Sequence, residues 1–356
     1  RVSKTLRLTS IADFIAARYG KSQLLAGFVT IFAVIGIIPY IALQLKAIAY
    51  SLKIIFPNDL EALIPDALET LAFMPDSTAI IAIILAVFTI LFGTRHLDVT
   101  ERHEGMVLAV AFESVFKLLA FMAQAIPDIA QLLQPESINF GNWFALTLLS
   151  GLAVLMLPRQ FQITVVENVD ETHLRRAVWL FPLYLLLINI FVLPIALAGL
   201  IQFNGGAFEA DTLVLTMPLS EGNAAMTLLA FLGGLSAATG MVIVETIALA
   251  TMVSNDLVMP LLLRGRFDFA NSKDLSGLIM LIRRSTIVVL LFLGYLYYRS
   301  AGEAYALVSI GLISFLAVAQ FAPAMLGGLY WKEGNRKGAF AGLGVGFAVW
   351  LYTALL

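Results

Sequence analysis

Residues 22–55 read SQLLAGFVTIFAVIGIIPYIALQLKAIAYSLKII, and this stretch decides the fold class. It is long and apolar enough for a membrane-spanning helix, which needs about 20 such residues. The segment before it, 1–21, carries five Lys or Arg residues. The loop after it, 56–77, carries none and holds five Asp or Glu residues. The two ends of this apolar run are therefore expected to face opposite sides of a membrane.

The same alternation of positive charge continues along nearly the whole chain. The loops 126–141 and 201–223 have no Lys or Arg, and the loop after 264–284 has only Arg299. The segments 94–104, 158–177, 264–284 and 332–337 carry two to five Lys or Arg residues each. Because Lys and Arg concentrate in cytoplasmic loops, this pattern predicts a multi-pass protein of the cell inner (plasma) membrane, with residue 1 on the cytoplasmic side. The segments predicted to face the cytoplasm are 1–21, 94–104, 158–177, 264–284 and 332–337.

Composition excludes several other classes of protein. Hydrophobic residues make up 60% of the 356 residues and charged residues only 13%, whereas soluble domains have about 25% charged residues. The formal net charge of -2 gives no sign of nucleic-acid binding. There is no Cys, and the three His residues do not form a zinc motif. The sequence therefore predicts no catalytic site and no metal site in this chain.

The apolar runs predict an all-α polytopic membrane protein with about nine spans in one domain, 1–356. Several spans contain Pro or Gly, which transporters use to expose backbone at a central site and which packed helices also tolerate. The predicted spans are 22–55, 78–93, 105–125, 142–157, 178–200, 224–263, 285–298, 305–327 and 338–356.

A few polar residues lie at membrane depth, where each charge costs about 2.5–3.5 kcal/mol on insertion scales. Glu245 has no basic partner in its own helix, so it is either protonated or reached by water and cations. Tyr40 and Gln44 are one turn apart on the first span, and Gln320 lies in the eighth. Tyr40, Gln44 and Gln320 are the candidate solute-binding residues, although hydrogen bonding between helices is an alternative role. Glu113 and Lys117 have the spacing of an internal ion pair.

Four stretches resemble the sodium/solute symporter family of sodium-coupled sugar, proline and pantothenate transporters. LTSIADFIAARYG (8–20) resembles the segment before that family's third core helix, and TERHEG (100–105) the opening of its fifth. SNDL (254–257) resembles the end of the eighth. The most specific stretch is FAPAMLGGLYWKEGNRKGAFAGLGVG (321–346), which follows the family's Pro-x-x-x-Gly-Leu-Tyr-Trp-Lys pattern.

The resemblance implies a leucine-transporter-like inverted-repeat helix bundle. The nine spans would be core helices three to eleven, so the chain is expected to be a fragment that lacks core helices one and two. Its loop before core helix three would be cytoplasmic, in agreement with the charge pattern. Part of the solute site would then lie upstream, and the resemblance does not identify the solute.

The resemblance also places the coupling ion. The family's adjacent Ser-Ser or Ser-Thr sodium ligands fall on Gly240 and Met241 in this sequence, and a thioether is a poor ligand for a hard cation. The nearest hydroxyls are Ser236 and Thr239. We therefore expect Ser236, Thr239, Gly240 and Glu245 to form the ion-coupling region, with Na+ or, through Glu245, H+ as the coupling ion and no other cofactor.

Two stretches, 157–199 and 235–262, resemble the membrane domain of hybrid sensor histidine kinases. This implies a membrane module, embedded in lipid, that binds a small polar, amino-acid-like solute, with or without transporting it, and serves as the input to cytoplasmic kinase domains in the same polypeptide. A free-standing sodium- or proton-coupled secondary transporter is the alternative, and a non-transporting membrane scaffold is a third interpretation.

Overall fold

In the computed structural model, the described part of the chain consists of helices joined by short turns. The structure describes residues 2–6, 8–56, 77–94, 140–168, 170–203, 210–264, 275–302 and 306–355. Short π-helical turns continue three of the helices, at Gln162–Val166, Val253–Val258 and Tyr298–Gly302. In chain order the helices are α1 Val2–Leu6, α2 Ile11–Arg18, α3 Gln23–Ile55, α4 Ser77–Gly93, α5 Phe140–Met156, α6 Pro158–Phe161, α7 Glu171–Ile190, α8 Val192–Gln202, α9 Leu213–Ser220, α10 Ala224–Met252, α11 Met259–Arg264, α12 Leu275–Tyr297, α13 Leu307–Ala319, α14 Ala322–Tyr330 and α15 Arg336–Leu355.

Within the described residues, five stretches are long and apolar enough to cross a membrane. A sixth is obtained if α5 and the segment Pro158–Val166, which meet at a bend of 54°, form one broken span. The multi-pass membrane character expected from the sequence is therefore supported by the structure. The five stretches are Gln23–Ile55, Thr172–Ala196, Ala224–Arg264, Ser276–Ala301 and Leu307–Tyr330.

The number of candidate spans is lower than the nine expected from the sequence. The segment 105–125 lies outside the described residues. The segment 78–93 forms an apolar helix, but Thr78–Phe92 is shorter than a full span. The last expected segment, 338–356, lies in α15, which is not among the five stretches.

Helix α3 lies at the centre of the bundle and packs against α2, α4, α10, α12 and α13. Glycine allows two of these contacts to be close, as is common between membrane helices. A Cβ atom added at Gly36 of α3 would lie 2.5 Å from the Cβ of Ala317 in α13. One added at Gly294 of α12 would lie 2.6 Å from Cγ2 of Ile41. Helix α3 is therefore the scaffold on which the other helices are positioned.

Aromatic contacts hold α15 against α3 and α13. The rings of Phe32 and Phe347 are stacked with their centroids 3.8 Å apart. Trp350 donates from Nε1 to the backbone oxygen of Ile313 at 2.9 Å. Both rings thus bury apolar area, and the indole N–H has the partner that a buried Trp requires.

Candidate functional site

An ion pair lies inside the bundle between α6 and α10. The side chain of Glu245 is fully buried, and that of Arg159 is 12% exposed. The Nε atom of Arg159 lies 3.8 Å from Oε2 of Glu245. Within the described part of the chain, neither carboxylate oxygen of Glu245 nor Nε of Arg159 has a hydrogen-bond partner. The two charges attract each other, and the backbone N–H of Arg159 also faces the Glu245 carboxylate, but no hydrogen bond of normal geometry forms at these three side-chain atoms.

Tyr40 of α3 joins this pair to the central helix. The guanidinium carbon of Arg159 lies 5.0 Å from the centroid of the Tyr40 ring, within the range of a cation–π contact. The Tyr40 hydroxyl donates to Sδ of Met241 at 3.0 Å. Met241 is one helical turn from Glu245 on α10, so both side chains face the same way. Side chains from α3, α6 and α10 therefore converge at one buried centre, which we call the Arg159–Glu245 centre.

The position of Arg159 differs from the sequence expectation, which treated 158–177 as a cytoplasmic loop. The chain is helical from Pro158 to Val166 after a bend at Leu157. Leu157 is extended, as favoured for a residue before proline, and Pro158 opens the new helix, where its missing N–H costs nothing. The bend turns Arg159 into the protein. A Pro that directly precedes a basic residue at the end of an apolar run was the only sequence signal for this.

The predicted solute-binding residues are placed in two locations. Tyr40 and Gln44 are both buried and one turn apart on α3. Gln320 lies at the break between α13 and α14 and donates to the Leu316 oxygen of its own helix at 3.1 Å. A Cβ at Gly346 would lie 2.5 Å from Oε1 of Gln320, so this side chain faces α15.

The predicted ion-coupling residues also separate into two sets. Helix α10 is regular from Ala224 to Met252, so side-chain directions follow about 100° per residue. Ser236, Thr239 and Gly240 share one face and are half-buried. Glu245 points roughly 120° to 180° away from them. One ion cannot contact both sets without a change in the helix.

A second polar cluster lies where α2 meets the π-helical turn of 253–258. Ser10 and Thr30 each donate to Oδ2 of Asp256 at 3.3 Å. Nδ2 of Asn255 donates to the Thr9 hydroxyl at 3.2 Å. Two of the motifs singled out in the sequence, 8–20 and 254–257, are therefore in direct contact. A cavity of about 320 Å³ adjoins the cluster, and its lining includes Asp13, Lys21 and Asp256.

Lys46 was missed by the sequence analysis. It is buried on α3, with 4% of its surface exposed, and its ammonium lies 5.1 Å from the centroid of the Tyr50 ring. A Lys in mid-span followed by Tyr four residues later is the signal that could have identified it.

The remaining sequence predictions concern the ion pair of Glu113 with Lys117 and the absence of a metal site. Glu113, Lys117, His96 and His103 lie outside the described residues. Among the residues that are described, no group of three or more His, Cys, Asp or Glu could hold a metal ion.

No protein-family model matches this chain, and no curated protein matches it. The similarity to sodium/solute symporters therefore rests on the quoted motifs alone.

Proposed function

We propose that this chain is a symporter-like membrane module that binds a small polar, amino-acid-like solute at the Arg159–Glu245 centre. In this proposal the module is the sensory input of a membrane histidine kinase. The observation that supports solute binding most directly is a buried ion pair with unsatisfied polar atoms inside an apolar bundle. The motifs in 8–20, 254–257 and 321–346 supply the family context.

The energetic argument starts from the cost of burying charge. Ionisable residues inside membrane bundles face the interior and commonly mark solute or ion pathways. A purely structural pair is stable when hydrogen bonds satisfy its remaining donors and acceptors. Arg159 and Glu245 lack such bonds at three atoms. A ligand that brings its own donors and acceptors would supply them.

The chemistry of the centre fits a zwitterion. The guanidinium of Arg159 offers donors in a planar fork that suits a carboxylate, and the carboxylate of Glu245 can accept from an ammonium group. The aromatic ring of Tyr40 and the thioether of Met241 provide adaptable apolar surface. Because Glu245 is fully buried, the solute reaches it only after the helices move apart.

Calorimetric titration of the full-length protein in lipid nanodiscs tests solute binding. The probes are glycine, glutamate and lysine, with glucose as an uncharged comparison. We expect an amino acid to bind to the wild type and its affinity to fall at least about 100-fold when Arg159→Met and Glu245→Gln are combined, because two charge-assisted contacts are lost. Lys53→Gln, an exposed substitution on α3, is the matched control. Unchanged affinity in the double variant, or no binding by any probe, would refute the proposal.

For the coupling ion, we propose H+ at Glu245 in preference to Na+ at Ser236, Thr239 and Gly240. The separation of these residues on two faces of α10 and the thioether of Met241 support this choice. Solute binding should then depend on pH in the wild type and lose that dependence in the single variant Glu245→Gln. A strict requirement for Na+ with no effect of pH would contradict it.

The role as a sensor, in preference to a free-standing transporter, rests on the resemblance of 157–199 and 235–262. A receptor needs a solute only to bind two states with different affinity, whereas an accumulating transporter must also couple each cycle to an ion gradient. Gln44 lies one turn from Tyr40 on α3 and is buried, so Gln44→Ala should change solute-dependent autophosphorylation of the full-length protein. The sensor proposal fails if this substitution abolishes uptake and leaves signalling unaltered.

A further inference from the structure

Helix α2 is bonded at both of its ends to different parts of the bundle. Its N-terminal end holds the π-helical turn 253–258 at the end of α10, and its C-terminal end holds the last turns of α14. We propose that α2 is a strap that couples the ends of α10 and α14, so that the two contacts break together when this end of the bundle opens. The inference does not depend on which solute the protein binds.

The N-terminal contact is built from polar side chains. Ser10 is the N-cap of α2: its hydroxyl accepts from the Asp13 N–H at 3.0 Å and donates to Asp256. Thr9 donates its hydroxyl to Asp13 and accepts from Asn255. The residues that cap α2 are therefore also the residues that hold 253–258. Loss of the cap would loosen both the helix end and the contact.

The C-terminal contact uses backbone oxygens of α14 and of Trp331, the residue that follows it. Arg18 donates from Nε to the Gly328 oxygen and from Nη2 to the Trp331 oxygen at 3.1 Å. The Tyr19 hydroxyl donates to the Ala324 oxygen at 2.9 Å. Carbonyls in the last turn of a helix have no partner within that helix, and they carry the negative end of its dipole. Arg18 supplies both the missing donors and a complementary charge.

The linkage between these contacts is short and rigid. Helix α2 has only eight residues, and its buried face includes Ile11, Ile15 and Ala16. After it, the chain reverses through Gly20 and Lys21, both with positive φ of 78° and 52°. A positive φ is unusual for Lys, and this turn sets the direction in which the chain leaves α2 and enters α3. A helix held in this way is expected to move as one body.

Two features connect the strap with the interior. The cavity of about 320 Å³ lies between α2 and the turn 253–258, and Asp13, Ala16 and Asp256 are among the residues that line it. Phe14 of α2 meets Phe161 edge-on at a centroid distance of 5.7 Å. Phe161 follows Arg159 by two residues in α6. Movement of α2 would therefore displace Phe161 and the segment that carries Arg159.

A disulfide across the C-terminal contact tests the strap. The Cβ of Arg18 lies 3.5 Å from a Cβ built at Gly328, a separation that suits a disulfide. The chain contains no other cysteine. The double variant Arg18→Cys/Gly328→Cys is prepared in the full-length protein in nanodiscs, oxidised or reduced, and backbone amide hydrogen exchange is measured in 253–258.

If α2 is a strap, the disulfide slows exchange in the distant turn 253–258 on the order of tenfold relative to the reduced protein. The single variant Arg18→Cys, which lacks both the Arg18 bonds and the cross-link, exchanges faster than the wild type there. If oxidation changes only 16–20 and 324–331, the two contacts are independent and the proposal is wrong. Equal slowing in 340–350 would indicate general stabilisation and would also overturn it.

The opposite perturbation does not require a disulfide. Asn255→Ala combined with Ser10→Ala removes both donors that join the N-terminal end of α2 to 253–258, and we expect faster exchange in 324–331 at the other end of α2. Lys53→Gln serves as the control. Exchange in 324–331 equal to that of the wild type would refute the coupling.

Discussion

Replacing Glu245 with glutamine should destabilise the protein by about 3–5 kcal/mol, because it leaves the buried Arg159 charge without its partner. The separation of 3.8 Å between Nε and Oε2 corresponds to an attraction of about 4 kcal/mol at an effective dielectric constant of about 20. Arginine does not lose its proton in proteins, so the unpaired charge cannot be relieved by deprotonation. Glutamine keeps the shape of the side chain, so packing changes little.

Arg159→Met in the same background should recover most of this loss. Methionine preserves the apolar stem beside the Tyr40 ring and removes the charge, and replacing both members of a buried pair is often neutral. The coupling free energy between the two positions should therefore be at least about 2 kcal/mol, near the upper part of the range for residues in contact.

The assay is a double-mutant cycle on the free energy of unfolding in mixed micelles of detergent and SDS. The four proteins are the wild type, the two single variants and the double variant, and Lys53→Gln should stay within about 0.5 kcal/mol of the wild type. Additive effects of the two substitutions, to within about 0.5 kcal/mol, would show that the pair does not interact and would refute the reasoning.

Three other predictions concern packing, pH and orientation. Gly36→Val should destabilise the protein by about 1–3 kcal/mol because the valine side chain would collide with Ala317. The matched control is Gly342→Val, where no atom lies within 4 Å of the added Cβ. Equal melting temperatures of the two variants would contradict this prediction. Burial raises the pKa of Tyr19 above its ordinary value of 10.0, and the nearby Arg18 charge opposes this more weakly. The unfolded chain therefore ionises first, so stability should fall as pH rises above about 10, and Tyr19→Phe should lose part of that fall; an identical pH profile of the unfolding free energy in this variant would argue against it. Single cysteines introduced on either side of the apolar runs should react with an impermeant reagent from one side of the membrane only, as the charge alternation requires. Labelling of 332–337 from outside the cell would show that the predicted orientation is wrong.

Most of the helices were predictable from local sequence. The span predicted at 22–55 is observed as Gln23–Ile55, and that at 224–263 as Ala224–Arg264. These runs are apolar over their whole length, and in a membrane a helix alone satisfies every backbone group. The rotational positions of Tyr40 and Gln44 on α3, and of Met241 and Glu245 on α10, follow from the helical period in the same way.

The contacts between helices were not predictable in the same way. Arg159 and Glu245 are far apart in sequence, and their meeting depends on the bend at Leu157 and on the packing of α3 between α10 and α13. The contact of Ser10 and Thr30 with Asp256 also joins distant segments. Local sequence sets the length, direction and exposed face of a helix, because those depend on neighbouring residues and on the solvent. Which faces meet is decided by side-chain packing between segments that are distant in the chain, and so the partner of the buried Glu245 became visible only in the tertiary structure.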